Sequence, residues 1–426
     1  MEVIQKELLP GVTLTALRTD KFKSSCLSLT LMTPMEKKTV TANALLPSVL
    51  RRGSQSHPDT QSVSAVLDDL CGGTLEARVR QQGETQCVGF LGSFLDDAFS
   101  PDGSPILEPA AALMGELLLQ PALQDGVFRA DYVSGEGKNL ADRIRAQVNE
   151  KRQYSIKRLT EQMCEGEPYG LDKLGFAEEA AGISPEQLWE RYQTLLSTAP
   201  IALYYCGSAP IERVEKALKN ALSGLPERTA AQLPACDVIA HAMGEARCFE
   251  DALDVTQGKL ALGWRTGGVT IRSEEYPALL VLNAVYGGTT TSKLFMNVRE
   301  RLSLCYFASS SLDKQKGLML VSSGIEFDKY DQAREEILAQ FQACAKGDFT
   351  DQELEAARRA VVSSLTACKD SQGLLEFYWQ AQAAAGLCQE PDELAQAVEQ
   401  VTAEQVTKVA GKMELDAVYF LKGKEG

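Results

Sequence analysis

Arg299 and Tyr306, seven residues apart, are the pair in this sequence best suited to chemistry. A guanidinium and a phenol are both hydrogen-bond donors, and a pair of donors aimed at one carbonyl can stabilise the oxyanion that forms from it. The stretch that must position them, Gly287 to Ser310, reads GGTTTSKLFMNVRERLSLCYFASS. Ser292 can cap a short amphipathic helix ending near Arg301, with Leu294, Phe295 and Val298 on one face. From Leu304 the pattern turns apolar and small, as in a strand. Residue type and spacing alone equally describe a solvated helix arginine and an ordinary strand aromatic.

A resemblance separates these readings. SKLFMNVRERLSLCY resembles the C-terminal-half signature of the pitrilysin/insulinase-like zinc metallopeptidases, which include the mitochondrial processing peptidases. There the pattern is Ser-Arg-Leu-Phe, Val-Arg-Glu and Leu-Ala-Tyr. The resemblance implies that Arg299 and Tyr306 bind a substrate carbonyl beside a zinc ion.

The same resemblance exposes a loss. Working members carry H-x-x-E-H on a helix of the first half, where residues four apart share a face and hold zinc while the Glu activates water. Taking Gly53 as the register mark in ANALLPSVLRRGS, the first His position is Ala44, the Glu is Pro47 and the second His is Ser48. Alanine has no ligand atom, proline has no acid and disturbs a helix interior, and a serine hydroxyl is a poor substitute for imidazole. The only histidines are His57 and His241, in a turn and just past a linker, and both are expected to be surface or packing residues. The family's later acidic ligand falls at Asp142 or Arg143. GEGK from Gly135 is not a phosphate loop, because Tyr132 stands where that motif needs Gly. No metal or other cofactor is therefore expected in this chain, and zinc is expected on a partner.

The elements that would carry these residues run in a repeated order. SSCLSLTLMTP from Ser24 alternates as a strand, helices are expected over Thr41 to Arg52 and Thr60 to Cys71, and TLEARVR and TQCVGFLGSF follow as strands. A Pro- and Gly-rich loop from Pro101 to Pro109 precedes broken helix, then the capped helix ISPEQLWERYQTLL and the strand PIALYYCG. In the second half KLALGW, YPALLVLNAVYGG, the signature, LMLVSSGIEF, a long helical stretch and DAVYFLKG repeat the sequence of types. ISPEQL at Ile183 matches VTAEQV at Val401, an offset of 218 residues. The fold class expected is α+β, with two tandem homologous domains, each a mostly antiparallel sheet covered by helices. Residues 1–225 and 241–426 form the domains and 226–240 the linker; in the family such a pair makes a half-clamshell. Gly72, Gly73, Thr74, Leu75 and Glu76, in GGTLEARV, stand where the family pairs an extended peptide along an edge strand. A helix stop leading into a core strand is the plain alternative.

Composition bounds the partners. The chain has 426 residues, 44% of them apolar and 24% charged, and its net charge is −15. Such a charge repels nucleic acid and anionic membrane surfaces. No apolar run approaches the length of a membrane span, and the first residues lack a signal-type core, so the cytoplasm is the expected compartment. Eleven scattered cysteines without a CxxC pair are expected to be buried, reduced thiols. The function these features imply is a non-catalytic subunit. It would pair with a homologous zinc-bearing peptidase chain and lend Arg299 and Tyr306 to a shared peptide-cleaving site, with a homodimer open to the isolated chain. The alternative is a peptide-binding or assembly scaffold.

Overall fold

The computed structural model describes residues 1–424. Thirteen strands fall, in chain order, at Glu2–Leu9 (β1), Val12–Arg18 (β2), Ser24–Pro34 (β3), Thr74–Gln82 (β4), Thr85–Leu95 (β5), Leu123–Gln124 (β6), Val127–Phe128 (β7), Ile201–Gly207 (β8), Arg247–Leu253 (β9), Gly258–Arg265 (β10), Cys305–Asp313 (β11), Leu318–Ile325 (β12) and Glu414–Gly423 (β13). They build two large sheets, ordered β1-β2-β8-β3-β5-β4 and β11-β12-β10-β13-β9, beside the small β6-β7 hairpin. In each large sheet the last strand runs parallel to the first of the repeat, β8 beside β2 and β13 beside β9. The other pairings are antiparallel. Stripped of β1, the first order is the second one read backwards, so the duplication visible in the sequence is also a duplication of topology. The fold is α+β with antiparallel-rich sheets, as expected.

Five strands escaped the sequence pattern, the two-residue β6 and β7 among them. β1, β2 and β9 carry EVIQKELL, VTLTALR and RCFEDAL, whose apolar side chains are interrupted by charges and threonines. Pairing supplied by a neighbouring strand settles such segments more than their own periodicity does.

Compact unit and chain order do not coincide. One unit comprises Met1–Arg145, Leu171–Ala235 and Gln372–Cys388; the other comprises Ala146–Gly170, Cys236–Ser371 and Gln389–Gly426. Each unit thus holds one helical segment drawn from the opposite half of the chain. In the first unit the helix Gln372–Ala385 lies on the face of β3 and β8 that carries Ser24, Cys26, Ser28 and Thr30. Its polar residues match that face: Gln372 Nε2 donates to Ser24 O at 2.7 Å, Gln380 Nε2 to Thr30 Oγ1 at 3.2 Å, and Arg80 Nη1 reaches Glu376 Oε2 at 2.6 Å. β3 is therefore buried on both faces, which explains its nearly unbroken burial.

In the second unit the helix Lys151–Met163 seats Leu159 and Met163 on the sheet. Gly263 of β10 makes room, since a Cβ there would stand 2.5 Å from Met163 Sδ. Trp264, Tyr286 and Phe341 pack together under the sheet's other face, Trp264 edge-on to Tyr286 at 5.9 Å.

The expectation of uniformly buried thiols needs correction. Cys26, Cys87, Cys164, Cys206 and Cys344 are buried, but Cys71, Cys248 and Cys388 are exposed and the remaining three are half-buried; among the described residues no disulfide joins any of them. Cysteine's small apolar side chain permits burial without requiring it, and these three sit at helix ends, in a connection or on an edge strand.

Candidate functional site

Local geometry around Arg299 departs from a regular helix. After the helix Tyr276–Asn283, Ala284–Gly288 and Leu294–Arg301 form wide turns of the i to i−5 type, in place of the plain helix the spacing suggested. Such turns are uncommon and recur at functional sites. Ser292 Oγ accepts from the N–H of Phe295 at 3.4 Å, which begins the second turn as expected. The glycine pair is explained by close approach. A Cβ on Gly287 would lie 2.7 Å from the backbone nitrogen of Ser310 on β11. The turn ends with Leu302 N–H on Asn297 O at 3.1 Å and Leu304 N–H on Val298 O at 3.0 Å, across Ser303 in a left-handed conformation.

Val298 is wholly buried, so its neighbour Arg299 starts outward, with 42% of its side chain exposed. The guanidinium carbon stands 4.6 Å over the Phe295 ring and Nε 3.6 Å from Glu300 Oε1. Tyr306 follows on β11, the outermost strand of its sheet. Pairing with β12 shifts register between Cys305 and Phe307, so Tyr306 is the extra residue of a bulge, a device that re-aims a side chain. It is 62% exposed, and its hydroxyl donates to Glu326 Oε1 at 3.4 Å, a long bond. Both side chains belong to the same compact unit and both face solvent; Arg299 has N–H donors to spare, and the single O–H of Tyr306 is held only by that long bond.

The residues of the lost metal motif lie in the other unit, on the helix Val40–Leu50. Ala44 is buried at 1% exposure, Pro47 sits within the helix and is also buried, and Ser48 is half-buried. Where a working site needs imidazole, this chain has core packing. Among the described residues no group of three or more His, Cys, Asp or Glu side chains is placed to hold a metal. His57 Nδ1 stands 3.3 Å from Glu116 and His241 Nδ1 2.9 Å from Glu414, as isolated pairs.

Gly72, Gly73 and Thr74 to Glu76 lead from the helix Thr60–Asp69 into β4. Gly72 takes a positive φ of 75°, which a glycine adopts without strain, and the N–H of Gly73 closes onto Leu67 O at 2.9 Å. β4 is the edge of its sheet. Leu75 is buried, while Thr74 and Glu76 are exposed and Glu76 pairs with Arg78. Arg51, at the end of the Ala44 helix, donates to Leu75 O, which ties the two elements together.

A polar network beside the motif went unread in the sequence. Fully buried Asn43 donates to Gln86 Oε1 at 2.8 Å and accepts from Arg191 Nε at 2.6 Å. Gln86 in turn donates to Val40 O and Lys173 O. A lone Asn in the apolar run VTANALL was the available signal.

Comparison with known proteins shows a chain like the inactive metallopeptidases, and the chain belongs to the M16 peptidase family. Residues 182–361 match the family description "Peptidase M16 inactive domain". The Bacillus subtilis (strain 168) protein named "Probable inactive metalloprotease YmfF" is 38% identical over 98% of this chain and 97% of its own length. "Uncharacterized zinc protease YmxG" of the same organism is 29% identical over 26% of this chain and 27% of its own. Among solved structures, a conserved protein from Enterococcus faecalis V583 superposes with a TM-score of 0.89 at 24% identity, covering 100% of this chain and 99% of that one. A peptidase M16 inactive domain from Pseudomonas fluorescens gives 0.80 at 16% identity with the same coverage. At these identities the two structures establish the fold alone.

Proposed function

We propose that this chain is the zinc-less subunit of a two-chain cytoplasmic peptidase, in which a homologous partner carries the zinc motif and this chain lends Arg299 and Tyr306. The observation that carries the reading is asymmetric loss. The first ligand position has become core at Ala44 and the second is a half-buried serine, while the arginine and tyrosine stay exposed on a wide turn and a bulge. Two exposed side chains, one on the wide turn and one on the outer strand that follows it, are available to another chain's substrate. Bacillus subtilis (strain 168) holds relatives of both kinds, one named inactive and one named a zinc protease, which fits a division of labour.

In the shared site the partner's zinc would supply the activated water. The Arg299 guanidinium and the Tyr306 hydroxyl would donate to the scissile carbonyl and follow its charge into the tetrahedral intermediate. Each such donor is worth about 3 kcal/mol, roughly a hundredfold in turnover. The edge strand beginning at Gly72 to Glu76 would pair with an extended peptide substrate, its unpaired backbone groups giving affinity without sequence preference. The duplication of sheet order supports reading the chain as two tandem repeats, 1–225 and 241–426 about a linker at 226–240, each of which exchanges one helical segment with the other's compact unit.

Co-expression with a zinc-bearing homologue tests the reading. The pair should co-purify and cut peptides, and Arg299→Ala or Tyr306→Phe should each depress turnover by about a hundredfold while the complex survives. Undiminished turnover in both variants refutes it. A scaffold without proteolytic role is the second reading, favoured by the contacts that already occupy both groups, Arg299 on Phe295 and Tyr306 on Glu326. Isolation from cells with an unrelated assembly, and as a homodimer when alone, would support it.

A further inference from the structure

A cavity of about 500 Å³ opens in the first unit where the chain enters the Ala44 helix. Lys38, Thr39, Thr41, Glu190, Arg191 and Thr194 are among the residues that line it. Its volume falls within the range that holds small molecules.

The charge inside it is not balanced by an ion pair. Arg191 donates from Nε to Asn43 Oδ1 and from Nη2 to Thr33 Oγ1 at 3.1 Å, both neutral acceptors. Among the described residues no carboxylate stands within ion-pair distance of it and Nη1 has no partner. Burial weighs against its charge, with only distant Glu36 in support. A half-buried cation without a counter-charge is costly, and a bound anion would remove that cost.

Two further groups stand at the start of the Ala44 helix. Thr39 precedes the helix Val40–Leu50 in the capping position, yet its hydroxyl caps nothing, and Oγ1 is buried without a partner. The backbone N–H groups of Thr41 and Ala42 take no acceptor among the described residues, and the first turn contains no acidic residue. The helix thus presents two N–H groups open to an acceptor at its positive end. The one carboxylate bonded in its first turn, Glu179, engages the Thr41 hydroxyl at 2.6 Å and leaves those N–H groups open, and both Glu179 and Glu190 are exposed.

We propose that this cavity binds a small molecule through an anionic head, a carboxylate or a phosphate, held between Arg191 and the start of the Ala44 helix. Lys38 adds charge at the mouth, and Glu190 favours ligands carrying a donor or an amine away from the head. This site is independent of the two-chain reading, since it uses neither Arg299 nor Tyr306.

Isothermal titration calorimetry on the full chain tests it, with inorganic phosphate and succinate as separate probes. At least one should bind with a millimolar or tighter dissociation constant, and which one binds identifies the head group. Thr194→Trp fills the cavity from an exposed helix position and leaves the Arg191 hydrogen bonds intact. It should weaken binding at least tenfold with the melting temperature held. Arg191→Met should also weaken it at least tenfold where that variant folds. Absence of binding by both probes, or equal binding by wild type and Thr194→Trp, overturns the proposal.

Discussion

Replacing Glu167 with Ala should destabilise the second unit more than any surface change in it. Glu167 belongs to the segment Ala146–Gly170, which the first half of the chain contributes to that unit. Its carboxylate stands 2.7 Å from Arg265 and 2.6 Å from Lys316, whose side chains are 3% and 0% exposed. Arg265 is shared with Asp416 at 2.7 Å, and Lys316 also donates to Asp237 O. Removing one partner of a buried ion pair costs about 3 to 5 kcal/mol, because the other charge is left in a medium that solvates it poorly. Asp416 softens the loss for Arg265, so the lower half of that range is expected. For a unit of roughly 200 residues, 3 kcal/mol corresponds to a fall of about 6 to 12 °C in melting temperature.

The same pairing sets a pH dependence. Burial pushes the Glu167 carboxyl up, but hydrogen bonds from Arg265 and Lys316 outweigh it and hold its pKa below the usual glutamate value. A depressed carboxyl stabilises the folded state fully above its unfolded pKa of about 4.3, and that stability is lost as pH falls through the folded value. Wild type should therefore lose stability on acidification below about pH 4, and Glu167→Ala should show a shallower slope there. Urea titrations at pH 7 and pH 4 read both effects. A loss under 1 kcal/mol at pH 7, or an unchanged acid slope, refutes the claim that this buried cluster holds the exchanged segment in place.

Other outcomes follow from single contacts. Asn43→Ala should cost about 1 to 3 kcal/mol in urea unfolding, since it strands Gln86 and Arg191 donors and acceptors away from water. Ala44→His, which restores the first ligand type, should destabilise by about 1 to 3 kcal/mol by overpacking a site only 1% exposed, and zinc titration should show no rescue. Arg299→Ala and Tyr306→Phe should each stay within about 0.5 kcal/mol of wild type, which separates any effect on turnover from an effect on folding. In a thiol titration at pH 8, Cys71, Cys248 and Cys388 should react first, whereas burial pushes Cys87 and Cys164 up to about 12 and keeps them silent until the chain unfolds.

Much of the architecture was legible because it rests on local pattern. β3, β5, β10 and β12 are long apolar runs, and the helix Pro185–Thr198 carries a complete capping box at Ser184. The positions that the resemblance assigns to a metal motif hold Ala44, Pro47 and Ser48, and those residue types are read without coordinates. The position of Arg299 and Tyr306 at one helix-strand junction also follows from spacing.

Tertiary structure decided the rest. Which helix covers which sheet depends on complementary surfaces far apart in sequence, such as Met163 over Gly263 or Gln380 against Thr30, and no local periodicity encodes that choice. The bulge that turns Tyr306 outward arises from a register mismatch with β12, a property of two strands and invisible in either alone. The charge of Arg191 reads on paper as an ordinary helix arginine. Only packing reveals that it is half-buried without a counter-ion, because solvation depends on everything that surrounds a group and not on its neighbours in the chain.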